Sequence, residues 1–389
     1  MKSDVAEIQY NQRRKVSFSQ CALLSVLLVI ATKFCTLPSV ITGIANSKAV
    51  WCVLILVTLE LAILFFAASV AKCGGLTEIP LKKGVRIPLL LLFLGFFILK
   101  LTALSREIST YFALSLFENA PVLPILILLL IACALLAQKG LMAIGRLMEI
   151  FVWAFLFVLI FVLIFTRTEG DLFNALGMFS PDLSKLGEGV WKGLAWFGDG
   201  AAVAFFDLRG EERFSPHAKG ESPSPSRQKA KGKIAFSAAL ASVLIVVLFY
   251  AVFIAVYGDA AKMTDYAFIK LSAFKANTDE LGSADWPVII LWSILSCLYL
   301  ALLFLSGKEC LTGLFEKTRQ SKGKGWLPYL LLGGSAVLLS TLFLGEEGDY
   351  SNFMTKGMNV VTVIVMATIL GVGGYALAQR KGAQREKQN

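Results

Sequence analysis

From Phe18 to Ala378 the chain is a succession of apolar runs separated by short polar stretches. A helix of roughly 20 apolar residues matches the hydrocarbon thickness of a bilayer. Inside that layer every backbone N–H and C=O must be paired within the protein, so runs of this length cross it as helices. The pattern therefore dictates an all-α integral membrane protein. Composition agrees, because 57% hydrophobic and 16% charged residues leave no room for a separate soluble domain. Ten transmembrane helices are expected, at 18–46, 49–71, 87–117, 121–138, 141–166, 188–208, 234–257, 286–306, 326–344 and 355–378. The first run follows a basic arm, as a signal peptide does. Its length and unconvincing cleavage signal mark a retained span instead.

Basic residues fall on alternate connections. Lys2, Arg13, Arg14 and Lys15 precede the first span, and Lys72, Lys82, Lys83 and Arg86 follow the second. Lys139 and Arg146, the 209–233 stretch, the Lys308–Lys324 stretch and the C-terminal tail continue the series. Lys and Arg concentrate on the cytoplasmic side of a membrane, so both termini are expected there. This also accounts for a net charge of +10 without invoking nucleic acid. The 209–233 stretch, rich in Pro, Ser and Lys, reads as a cytoplasmic linker. Within 258–285, the AFIKLSAFKA portion reads as a short amphipathic helix at the surface.

Two spans are interrupted. In GEGVWKGLAWFGDGAAVAFFDL, at 187–208, Gly198 and Gly200 flank Asp199. Each glycine weakens a helix by about 1 kcal/mol relative to alanine. A mid-membrane charge costs about 2.5–3.5 kcal/mol even on an insertion scale. In the first span, Lys33-Phe34-Cys35-Thr36-Leu37-Pro38 ends on a proline that cannot sit comfortably in a helix interior. Spans one and six are five apart, and five is odd, so each half of the chain begins on the opposite side. That is the 5+5 inverted repeat in which substrate binds between broken helices 1 and 6 at mid-membrane. The repeats would be 18–166 and 188–378 within a single polytopic domain, 1–389. The alternative is a pair of packed kinks, with Asp199 neutralised by a basic neighbour.

Other intramembrane charges need partners. Glu60 lies in the second span, and Lys100, Arg106 and Glu107 in the third. Pairings open to them are Glu60 with Lys33 or Lys100, and Arg106 with Glu107 or with Asp199. The resulting network of Lys33, Glu60, Lys100, Arg106 and Glu107 is either a structural set of ion pairs or a proton relay and cavity wall. Span eight adds Trp286, Trp292, Ser293, Ser296 and Tyr299. The only histidine, His217, sits in a loop, and the seven cysteines form no CxxC pair, so no metal site and no cofactor is expected. With no hydrolase triad, phosphate loop or nucleotide fingerprint, an enzyme is not expected.

Several local runs carry a family likeness. SREISTYF, then Pro121 and Pro124, then KGLMAIGRLMEIF, DLFNALGMFSPDL and LAWFGDG resemble the spore-germination permease family. These are the GerAB-type B subunits of germinant receptors, within the amino acid–polyamine–organocation superfamily. Asp199 stands where that family more often has glutamate, and the 209–233 loop is longer and more basic than usual. The resemblance implies a LeuT-like fold and a role in spore germination, with a nutrient such as an amino acid sensed in a mid-membrane cavity. It implies A-type and C-type receptor subunits as partners, and the spore inner membrane as location. Carried over by position, the cavity would be lined by Thr36, Pro38, Ser109, Thr110, Phe197, Gly198, Asp199, Gly200 and Ser293.

Three functions then compete: a permease-like sensor, a proton- or sodium-coupled secondary transporter of an amino acid or amine, and a scaffold with a vestigial cavity. For a zwitterionic ligand, the half-helix N-termini near Pro38 and Gly200 are expected to attract the carboxylate. Asp199 or nearby carbonyls would take the amine.

Overall fold

A computed structural model describes residues 18–117, 120–167, 177, 185–207, 225–273, 285–315, 325–343 and 352–386. Its elements are helical throughout. In chain order they are α1 (Phe18–Ile30), α2 (Leu37–Ala45), α3 (Ala49–Ala71), α4 (Lys83–Ser115), α5 (Val122–Gln138) and α6 (Leu141–Arg167). There follow α7 (Leu186–Gly193), α8 (Pro225–Tyr257), α9 (Ala267–Ala273), α10 (Asp285–Leu314), α11 (Leu327–Phe343) and α12 (Asn359–Glu386). Among the described residues, six helical stretches are long and apolar enough to cross a membrane: Leu37–Ala71, Lys83–Leu114, Leu141–Ile164, Ser237–Met263, Trp286–Leu314 and Phe353–Gln379. Val122–Gln138 and Leu327–Leu342 are shorter apolar helices. Large apolar side chains such as Phe157, Leu128 and Leu244 stand exposed on these helices, as lipid-facing residues must.

Both expected interruptions occur. The first span divides into α1 and α2, with residues 31–36 outside the helix. Pro38 falls in the first turn of α2, where its missing N–H costs nothing. The sixth span divides into α7, a 3₁₀ turn at Leu194–Trp196 and a second 3₁₀ segment at Asp199–Phe205. Gly198 makes this break with a φ of 84°, a left-handed conformation that glycine adopts without a Cβ clash.

Packing holds the two breaks at the centre. α4 lies along α10, α1 along α8, and α3 along the Asp199–Phe205 segment. The α3–α4 connection is tied to the far end of the second break, where Leu76 N donates to Ala204 O at 2.7 Å. Phe34, Phe155, Phe249 and Phe268 cluster around the first break, the Phe34 and Phe249 rings lying 4.5 Å apart.

Two local expectations change. α9 is amphipathic, with Lys270 exposed, but its apolar residues Ala267, Phe268, Ile269 and Leu271 are buried against the rest of the protein. Phe268 N donates to Phe34 O at 2.9 Å and Ala267 N to Cys35 O at 3.1 Å. The start of α9 thus takes up carbonyls released by the first break, which draws its apolar face inward. At the other correction, α8 begins at Pro225, so the helix takes in the last part of the 209–233 stretch read as a linker. The 208–224 portion lies outside the described residues.

Candidate functional site

The two breaks bring Lys33 and Asp199 together. Lys33 Nζ stands 2.5 Å from Asp199 Oδ2 and 2.6 Å from Thr32 Oγ1, and donates to Trp196 O. Lys100, reaching in from α4, places Nζ 2.7 Å from Asp199 Oδ1. That oxygen receives no well-angled hydrogen bond, so the second contact is chiefly coulombic. Lys33 also lies over the Phe197 ring at 4.7 Å, and Lys100 over the Phe96 ring at 5.6 Å. Both carboxylate oxygens of Asp199 are therefore faced by ammonium groups, with its side chain fully buried. Removing one partner of such a buried pair costs about 3–5 kcal/mol, because the other charge is left uncompensated.

Glu60 completes the set from α3. Its Oε2 accepts from Gly198 N at 2.5 Å, and its Oε1 from Gly200 N at 2.6 Å. A carboxylate at the start of a helical segment satisfies donors that have no partner in the helix and opposes its dipole. Gly200 makes the approach possible: a Cβ there would lie 2.8 Å from Leu64 Cγ and 3.2 Å from Glu60 Oε1. Lys33, Lys100, Glu60 and Asp199 are all buried, and their formal charges cancel.

The first break has a carboxylate of its own. Glu107 Oε1 accepts from Thr36 N at 3.2 Å and from Thr36 Oγ1 at 2.6 Å. Tyr250, from α8, donates to Lys33 O at 3.1 Å. Above this lies an aromatic group in which Tyr111 is 4.8 Å from Tyr266 and 5.3 Å from Trp292. Both half-helix starts are thus occupied by the chain's own carboxylates. A ligand carboxylate would meet the two lysines rather than free helix N-termini, which corrects the expectation drawn from the dipoles.

α10 supplies a polar strip facing this centre. Trp292, Ser296 and Tyr299 recur at i, i+4 and i+7, one face of a helix. Trp292 Nε1, Ser296 Oγ and Tyr299 OH are all buried and make no well-angled hydrogen bond among the described residues. The Trp292 indole lies beside Cys35 of the first break, and the Tyr299 hydroxyl beside Asp199 of the second. Trp292 and Tyr299 thus have Cys35 and Asp199 within interaction reach, and Ser296 Oγ is the member of the strip without such a neighbour among the described residues.

The expected site residues separate accordingly. Lys33, Glu60, Lys100, Phe197, Gly198, Asp199 and Gly200 meet at the second break, and Thr36, Pro38 and Glu107 at the first. Four residues stand apart. Arg106 is half-buried and makes no ion pair among the described residues, so it partners neither Asp199 nor Glu107. Ser109 is buried but sits nine residues from Lys100, on the opposite side of α4. Thr110 is half-buried on a neighbouring face. Ser293 Oγ donates to Ile289 O of its own helix at 2.6 Å. The spacing of Trp292, Ser296 and Tyr299 would have separated them from Ser293, which is displaced about 100° around the helix from Trp292. Thr32, the Trp196 carbonyl and Tyr250 had no sequence signal, since nothing local shows which groups a folded-back lysine meets.

Comparison with known proteins agrees with this architecture. Residues 15–178 match the family model described as Spore germination protein. No curated protein sequence matches the chain. Among solved structures, the manganese transporter of Eremococcus coleocola, bound to an aromatic bis-isothiourea substituted compound, is 13% identical with a TM-score of 0.54. The match covers 92% of this chain and 78% of that one. A Na⁺-coupled sialic acid symporter in a substrate-bound outward-open state is 12% identical with a TM-score of 0.56, covering 89% and 78%. At such identities the likeness is one of fold. The chain is thus similar to the spore germination permease family over residues 15–178, and its fold is that of the LeuT-like transporters.

Proposed function

We propose that the chain is the permease-like subunit of a spore germinant receptor, sensing a small amino acid at the meeting point of its two broken helices. The observation that carries this reading is the Lys33–Asp199–Lys100 cluster, buried where both helices break and flanked by the α10 strip. An arriving amino acid carries both charges needed to exchange with those ion pairs. Its carboxylate would turn to Lys33 or Lys100 and its ammonium to Asp199, with Ser296, Tyr299 and Trp292 supplying hydrogen bonds. Binding one arrangement of the breaks better than the other shifts the population between two states, and that shift is the signal. A-type and C-type subunits receive it, in a spore inner membrane with both termini of this chain on the cytoplasmic side.

The test uses spores carrying Asp199→Asn, with L-alanine as germinant and an immunoblot for the protein. The expected result, for spores matched by immunoblot for protein level, is at least about a tenfold rise in the concentration needed, as loss of a buried charge partner implies. An unchanged response would make the network purely structural.

A second reading, a coupled secondary transporter, draws support from the two transporter folds that resemble this chain. Purified protein in liposomes separates the two. Gradient-driven uptake of labelled L-alanine belongs to a transporter, whereas binding without uptake belongs to a sensor.

A further inference from the structure

A polar pocket that shares no residue with the central network lies where α2 turns into α3. It measures about 130 Å³ and is lined by Thr42, Asn46, Ser47, Ile254, Asp259 and Lys262, with Gly258 at its edge. A single water needs only about 10–15 Å³ on such a measure, so the space admits a solute of several heavy atoms. Asp259 and Lys262 belong to the 3₁₀ turn Gly258–Met263 that follows α8. Residues three apart in a 3₁₀ helix lie on the same side, so the turn presents one negative and one positive group together. Neither makes an ion pair among the described residues. Across from them, Asn46 turns the chain with a φ of 48°, a left-handed conformation that asparagine tolerates better than most residues. The Asn46 side-chain amide and the Ser47 hydroxyl are likewise without hydrogen bonds among the described residues, whereas the Asn46 backbone N–H donates to Thr42 O and the Thr42 hydroxyl donates to Pro38 O at 2.7 Å.

A simple anion or cation would satisfy only one of the two charges. A small molecule bearing both, with hydrogen-bonding capacity at each end, satisfies them together. We propose that this pocket is a second binding site, specific for a small zwitterionic α-amino acid whose ammonium meets Asp259 and whose carboxylate meets Lys262 and the Asn46–Ser47 turn. Both charged groups are exposed, so screening limits each contact and the affinity is on the order of 1 mM. The site also has mechanical leverage. α2 begins immediately after the first break, and α8 carries the Tyr250 hydroxyl that holds Lys33 O. A guest joining the α2–α3 turn to the end of α8 clamps the two elements that flank Lys33. By linkage, whatever state it favours at the centre in turn favours its own binding.

The test is calorimetric titration of the full purified chain with glycine and L-alanine, with acetate and methylammonium as single-charge probes. The expected result is a millimolar component for both amino acids and none for either half-probe. In Asp259→Asn/Lys262→Gln that component weakens at least about tenfold, as removal of both charged contacts implies. It persists in Asp199→Asn, which separates this site from the central one. Absence of the component in the unmodified chain, its survival in the double variant, or equal binding of acetate each overturns the proposal. None of those results bears on the central site, whose own test is the germination response of Asp199→Asn.

Discussion

The two breaks solve one problem by different means. Each leaves backbone groups without helical partners in a setting where water does not supply them. The first is propped from several sides: α9 takes two carbonyls, Glu107 takes Thr36, Tyr250 takes Lys33 O, and four phenylalanines pack around it. The second leans on charge. Glu60 alone takes Gly198 N and Gly200 N, and Asp199 is fixed between two ammonium groups. Both breaks are packed, but at the second the backbone donors and the buried lysines depend on two carboxylates, so more of its stability rests on single residues. The second break is therefore where a charged ligand has most to exchange.

The largest expected effect tests that concentration directly. Asp199→Ala leaves two buried ammonium groups facing each other, a loss of about 3–5 kcal/mol by analogy with other broken buried pairs. Thermal melting in detergent reads it, and adding Lys33→Met to the same chain should recover part of the loss. Full additivity of the two would show that Lys33 and Asp199 do not act as a pair.

Glu60→Gln comes next. Its amide has one acceptor oxygen for two backbone donors, and charge-assisted hydrogen bonds are lost, so the expected cost is about 2–3 kcal/mol. Glu107→Gln keeps an acceptor for Thr36 within a better-propped break and should cost about 1 kcal/mol. Equal losses in these two variants would remove the distinction between the breaks.

Gly198→Ala forces a side chain into a left-handed conformation and sets its Cβ 3.2 Å from Thr362 Cγ2. The expected cost is about 1–2 kcal/mol. Smallest is Ser293→Ala, within about 0.5 kcal/mol and without effect on response. Ser296→Ala, equally mild for stability, should lower ligand response. A reversed outcome for this last pair would return the α10 contact to Ser293.

The length of the apolar runs and the bilayer's demand for internal hydrogen bonding made the membrane class and both interruptions legible in the chain alone. Pro38 and the Gly198-Asp199-Gly200 triplet announce their breaks through backbone chemistry, which is local. Pairing was not legible, because it is set by distances between residues far apart in the chain. Lys33 and Asp199 are 166 positions apart, and the pairings open from the sequence set Arg106 against Asp199 and the two lysines against Glu60, whereas the fold brings both lysines to Asp199. The sequence by itself determined that charges would be buried near two broken helices. Only the tertiary structure decided that Glu60 and Glu107 fill the half-helix starts and that Asp199 is shared by two lysines, because a buried charge is stabilised by whichever partner the packing brings within reach.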